Sequence, residues 1–134
     1  METIRTIYLG DLRTQATHVQ SAEVITTDAP LDNQGKGEFF SPTDMVAAAL
    51  GSCAMTIMGI AARDNGFSID GAKAGITKIM ASDPRRIAEI RIEYDFTGLD
   101  LTAEQKELIE ESSKKCPVCL SLHPDLHRNI TLKF

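Results

Sequence analysis

No run of about 18 apolar residues, the length a membrane helix needs, stands out in this chain of 134 residues, and its first segment, METIRTIYLGD, lacks the basic start and apolar centre of an export signal. These absences predict a cytoplasmic protein without a membrane partner. Basic residues are also scarce, 14 against 19 acidic ones for a net charge of −5, and they gather only as Arg85-Arg86 and Lys114-Lys115. Phosphate binding is driven by clusters of lysine and arginine, so no nucleic-acid partner is expected. There are no repeats and no low-complexity tracts. Cysteine is limited to three residues, an odd number. Without an export signal, that count argues against a disulfide scaffold and for free thiols with reactive, metal-binding or packing roles.

With 43% hydrophobic residues, the chain is long enough for one compact domain, 1–134, that buries roughly two thirds of its unfolded surface. Residues 3–9 alternate weakly, Gly10-Asp11 supplies turn chemistry, and a second extended run reaches Val19 and then Val24-Ile25, together a candidate β-meander. Residues 28–40, DAPLDNQGKGEFF, are rich in turn formers and predict an exposed connection. Residues 72–80 and 87–97 read as a hairpin, since Ile90, Ile92, Tyr94 and Phe96 alternate with Glu89, Arg91, Glu93 and Asp95. Thr102 and Gln105 form a capping box for a later helix, and residues 129–134 read as a closing strand. Mixed α+β architecture follows.

The strongest helix signal is SPTDMVAAALGSCAMTIMGIAARDNG, residues 41–66. Ser41 caps, Pro42 suits the first helical position, Asp44 returns a hydrogen bond to the cap, and Gly66 ends the pattern. Met45, Ala49, Cys53 and Ile57 recur at four-residue spacing, which places the thiol on the side of apolar core residues. Ala47, Ala48, Gly51, Ser52 and Ala54 keep the rest of the helix small, so other elements can approach closely.

A cysteine reacts as its thiolate. Cys116, in KKCPVCLSLHPD, follows Lys114 and Lys115; if Pro117 opens a short helix, Cys116 is its N-cap, where free amides and the helix dipole stabilise an anion. Cys53 lies about three turns inside its helix, beyond the reach of that dipole, and requires an imported cation to ionise. Cys53 attacking a peroxide O–O bond and Cys116 resolving the sulfenic acid is one reading. A small buried core residue is the other, and spacing alone favours it for Cys53.

Both cysteine segments resemble the OsmC/Ohr family of thiol-dependent hydroperoxide reductases, over roughly residues 39–65 and 113–134. The shared features are a proline eleven residues before the first cysteine, an Ala/Gly-rich helix between them and a late Cys-Pro; SPTD at the helix start is most similar to the OsmC-like branch. The resemblance implies an α+β homodimer, with antiparallel sheets wrapped around two central cysteine-bearing helices. It implies reduction of organic hydroperoxides, with Cys53 attacking and Cys116 resolving, no cofactor, and electrons returned by a dithiol such as a lipoylated protein. The family also uses an arginine from the N-terminal strands, held by a glutamate one residue after the helix-starting proline. Thr43 occupies that glutamate position here. Asp44 is the candidate substitute, although residues 43 and 44 point about 100° apart on a helix and Asp44 also reads as the cap partner. Arg13 is the candidate arginine and Arg5 the weaker one.

Other classes of function stay open. Cys116, Cys119, His123 and His127 form C-x2-C-x3-H-x3-H, a ligand set that suits zinc, although all four fall within twelve residues. The same C-x-x-C resembles a thioredoxin-type redox pair, without the preceding strand such a pair has. Cys119 otherwise reads as a packed or spare thiol. A dimer holding a small hydrophobic molecule in a cleft lined by Met45, Met55 and Met58 is a further alternative.

Overall fold

In the computed structural model all residues, Met1–Phe134, are described, and they divide into two compact units, Met1–Val46 and Ala47–Phe134.

The first unit holds an antiparallel sheet of three strands in sequence order, β1 (Ile4–Gly10), β2 (Arg13–His18) and β3 (Val24–Asp28). The turn between β1 and β2 falls at Asp11 and Leu12, both with positive φ, as the twist of a tight hairpin requires. The second extended run breaks into two strands, because a turn in which the Ala22 amide bonds to the His18 carbonyl reverses the chain. Much of the connection 28–40 is exposed as expected, but its first residue, Asp28, is only 1% exposed. The loop folds tightly back on itself: a Cβ on Gly35 would lie 1.7 Å from the Ala29 carbonyl oxygen, so no larger residue fits there without moving backbone.

Helix α1 (Pro42–Asp64) starts on the capping box foreseen for it and stops short of Gly66. In the second unit, β4 (Lys73–Ala81) pairs antiparallel with β5 (Arg86–Asp95), and β6 (His127–Lys133) pairs parallel with β5, from Glu89↔His127 to Asp95↔Lys133. A parallel neighbour needs a long crossover. Residues 96–126 supply it, with α2 (Ala103–Ser112) and the short α3 (Pro117–Ser121). The Thr102–Gln105 capping box of α2 has both of its hydrogen bonds. The alternation along β5 holds: Ile90, Ile92 and Tyr94 are buried, and Arg91 and Glu93 are exposed.

Which side of α1 is buried differs from expectation. Ala47, Leu50, Gly51, Ala54, Met58 and Ala62 form the buried stripe, whereas Met45, Cys53 and Ile57 are half-buried and Ala49 is exposed. Gly51 explains the rotation, because a Cβ there would come within 2.3 Å of Ile76 Cδ1 and 3.9 Å of Ile92 Cδ1; the helix lies closest to β4 and β5 along its smallest residues. Leu50, Met58, Ile90, Ile92 and Ile109 are each fully buried, or within 1% of it, and each such side chain contributes about 1.5–3 kcal/mol. Packing at the C-terminus comes from Phe134, stacked on Phe96 with ring centroids 5.1 Å apart.

The sequence expectation of no membrane-length apolar run needs correction. Within α1, the most apolar window of 18 residues has mean hydropathy 1.9, enough by length and composition alone for a membrane span, and 33% of that window is buried. Ser52 and Thr56 interrupt the run without adding charge.

Candidate active site

The thiols lie in the second unit, grouped around Tyr94. From β5 its ring is fully buried, and its hydroxyl donates to the Gly51 carbonyl at 2.8 Å, fixing the turn of α1 that carries Cys53. Cys53 is half-buried, at the border between the buried stripe of α1 and its uncovered face. Cys116 is fully buried and is the N-cap of α3, with its Sγ accepting from the Cys119 amide at 3.4 Å. Cys53 lies near enough to Cys116 to influence its thiol, and all three cysteines are free.

Electrostatics around Cys116 run against one expectation. Burial, the largest influence, pushes its thiol up; the Cys119 amide opposes this, the hydrogen bond and charge of Cys53 add to it, and the Val118 amide again opposes. The cap amides act as foreseen, but desolvation outweighs them because no solvent reaches the sulfur. Lys114 and Lys115 are exposed. Burial likewise pushes the Tyr94 hydroxyl up, followed by the charges of Cys116, Cys53 and Cys119, so Tyr94 remains a neutral hydrogen-bond donor beside three thiols.

Arg13 belongs to the first unit. Its Nε donates to Asp28 Oδ1 at 2.6 Å and its Nη2 to Asp28 Oδ2 at 2.9 Å, a bidentate pair, while Glu38 Oε1 lies 3.7 Å from Nη2 and the Phe39 ring centroid 4.8 Å from the guanidinium carbon. These hydrogen bonds are the main reason the Asp28 carboxyl sits below the usual carboxylate range, with burial opposing, and the Asp28 contact raises the Arg13 value. Both stay charged, and the guanidinium plane is fixed on two edges. Asp44 serves the helix start instead. Its Oδ2 accepts from the Ser41 amide at 2.9 Å while its own amide donates to Ser41 Oγ at 3.0 Å, and Thr43 Oγ1 lies 3.1 Å from the same oxygen. Asp28 therefore holds the arginine, and sequence reasoning missed it. The available signal was strand register, since Arg13 and Asp28 are directly paired across β2 and β3. Arg5 pairs with Glu2 on the exposed surface.

The zinc alternative does not survive the geometry. No three His, Cys, Asp or Glu residues are placed to hold a metal. Cys116 is buried, His123 and His127 are exposed, and His123 Nδ1 accepts from the Asp125 amide at 3.0 Å. His18 is paired with Ser21 Oγ at 2.6 Å. A hydrophobic cleft built on methionines is not favoured either: Met58 is a fully buried core residue, and the cavity of about 620 Å³ beside the end of α1 is lined by Thr56, Ile60, Arg63 and Phe67 rather than methionine.

This α+β fold, with nearby thiols on a small-residue helix and on a Cys-Pro cap, matches the pattern of one family, described as OsmC-like protein, over residues 35–131. The chain belongs to the OsmC-like protein family. Among solved structures it is similar to one from Psychrobacter arcticus 273-4, described as an osmotic-stress-induced and detoxification-response protein, at 47% identity and TM-score 0.93, over 98% of this chain and 96% of the other. An organic hydroperoxide resistance protein OsmC from Legionella pneumophila shares the fold at 14% identity and TM-score 0.76, over 100% and 98% of the two chains. So does an organic hydroperoxide resistance protein from Elizabethkingia anophelis, at 16% identity and TM-score 0.65, over 99% and 96%. No curated protein matches the sequence.

Proposed function

We propose that the protein reduces organic hydroperoxides to alcohols through Cys53 and Cys116. The observation that carries this reading is the proximity of a half-buried cysteine, Cys53, to a fully buried one, Cys116. In the proposed cycle the Cys53 thiolate attacks the terminal oxygen of R–O–O–H, the O–O bond breaks, and the alkoxide leaves as alcohol with a proton, giving a sulfenic acid. Cys116 then attacks the Cys53 sulfur, water leaves, and a dithiol returns two electrons to the disulfide. Burial favours the neutral form of Cys116, as suits a thiol that acts second. Support also comes from the family and from the hydroperoxide resistance proteins that share the fold. Arg13 is assigned as the arginine of the reaction, with Asp28 rather than Asp44 as its positioning carboxylate. The working unit is a homodimer in the cytoplasm, with the exposed face of α1, including Ser52, Thr56 and Ile60, as part of the surface a second copy covers.

Turnover of tert-butyl hydroperoxide with dihydrolipoamide tests the cycle. Cys53→Ser abolishes it, while Cys116→Ser leaves a single-turnover burst and a trapped oxidised Cys53. Full steady-state rates in both variants overturn the mechanism.

A further inference from the structure

We propose that Cys119 is a second resolving thiol, which draws the disulfide from the Cys53–Cys116 pair to a Cys116–Cys119 pair beside a separate open cavity, freeing Cys53 for the next peroxide. This deepens the peroxidase reading and rests on it. The observations concern enclosure and reach. Cys116 has no exposed surface, whereas Cys119 is half-buried and lines an open cavity of about 300 Å³ together with Glu110, Ser113, Lys114, Arg128 and Ile130. The 3.4 Å contact from the Cys119 amide to Cys116 Sγ puts that sulfur beside the backbone of Cys119, one side-chain rotation from a sulfur–sulfur approach. Two cations, Lys114 and Arg128, and one anion, Glu110, line the cavity beside Cys119. Arg128 also has unspent capacity: its Nη2 donates to the Leu122 and His123 carbonyls, but its buried Nε has no partner.

The exchange balances without any added reagent. The Cys119 thiolate attacks Cys116 Sγ, the Cys116–Cys119 bond forms as the Cys53–Cys116 bond breaks, and the electron pair leaves on Cys53, which takes up the proton that Cys119 gave up. Cys53 returns to its reduced form while the oxidising equivalents wait at the cavity. Attack on Cys119 by a dithiol then releases Cys116. Without reductant, the freed Cys53 reacts with a second hydroperoxide.

The test uses the full chain, with disulfides mapped by mass spectrometry after alkylation. Wild type given tert-butyl hydroperoxide without reductant yields a Cys116–Cys119 bridge and consumes about two equivalents of peroxide, against about one for Cys119→Ser, which stops at Cys53–Cys116. Re-reduction of oxidised Cys119→Ser by dihydrolipoamide is slower by about tenfold, and Cys119→Ala behaves alike. A second arm is independent of peroxide: Cys53→Ser oxidised with diamide forms the Cys116–Cys119 bridge. Failure of that bridge overturns the relay. So does a wild-type Cys53–Cys116 bridge that never converts, or re-reduction at the wild-type rate in both Cys119 variants. Peroxide that leaves all three thiols reduced instead defeats the peroxidase reading, and diamide-treated wild type then decides the relay by whether its first bridge moves to Cys119.

Discussion

Replacing Tyr94 by phenylalanine removes one oxygen from the centre of the thiol cluster, and its effect can be worked out at two pH values. At neutral pH the loss is the hydrogen bond to the Gly51 carbonyl, 2.8 Å long and fully buried. That carbonyl lies inside α1, where the helix ladder supplies its other partner, so no orphaned acceptor is created. The cost is therefore that of one net hydrogen bond, about 1 kcal/mol. The alkaline side reverses it. Burial pushes the folded hydroxyl well above its ordinary value of 10.0, whereas the unfolded tyrosine ionises near that value. A raised folded value means stability present below the unfolded pKa and lost as pH rises beyond it, at about 1.4 kcal/mol per pH unit for one group. The tyrosine's advantage should vanish about half a unit to one unit above pH 10, and phenylalanine should then be the more stable. Urea unfolding of both reduced proteins at one fixed protomer concentration, at neutral pH and in steps to about pH 11, reads the difference, from which cysteine ionisation largely cancels. Equal stability at neutral pH, or a gap that stays flat through the alkaline steps, would refute the reasoning.

Asp28→Asn removes the negative half of the bidentate pair and frees the guanidinium to rotate, so hydroperoxide turnover should fall on the order of ten- to a hundredfold. Because Arg13 holds the Asp28 carboxyl below its usual range, the stability this carboxylate contributes is present above about pH 4 and is lost as pH falls through the folded value; acid titration should show that component in wild type alone. Asp44→Ala removes one bond of the α1 capping box and should cost about 1 kcal/mol in urea unfolding. A loss of turnover at temperatures where that variant is fully folded would return its carboxylate to the reaction. Gly51→Val forces side-chain atoms against Ile76 and should destabilise by about 1–3 kcal/mol, read the same way.

Signals that act within one turn of chain were legible. Ser41 with Asp44, Thr102 with Gln105, and Pro117 after Cys116 fixed the starts of all three α-helices, since a cap needs only its own neighbours. The alternation of β5 was equally plain, because isoleucine and tyrosine contrast strongly with arginine and glutamate. The buried side of α1 was not, because alanine, glycine, serine and methionine give little contrast around the helix, and the face was chosen by how near Gly51 lets Ile76 approach. Nor was the partner of Arg13, which depends on strand register rather than spacing. The direction of β6 depends on the crossover that α2 and α3 make, and the raised thiol of Cys116 on burial by residues distant in sequence.

Rotation of α1 away from the expected face also decides what Cys53 can do. Had Met45, Ala49, Cys53 and Ile57 formed the core stripe, the sulfur would be sealed against the sheet, where desolvation favours the unreactive thiol and no peroxide enters. With Gly51 and Ala54 on that stripe instead, Cys53 lies half-buried at its margin, near Cys116. The Tyr94 hydroxyl holds the helix at Gly51, two residues before the thiol, so the contact that sets the packing distance also sets the position of the sulfur. A larger residue at position 51 should then misplace the thiol as well as strain the core. In Gly51→Val, the rate of Cys53 alkylation by iodoacetamide should change at temperatures where the protein is fully folded; an unchanged rate alongside the expected loss of stability would show that packing and reactivity are separable in this helix.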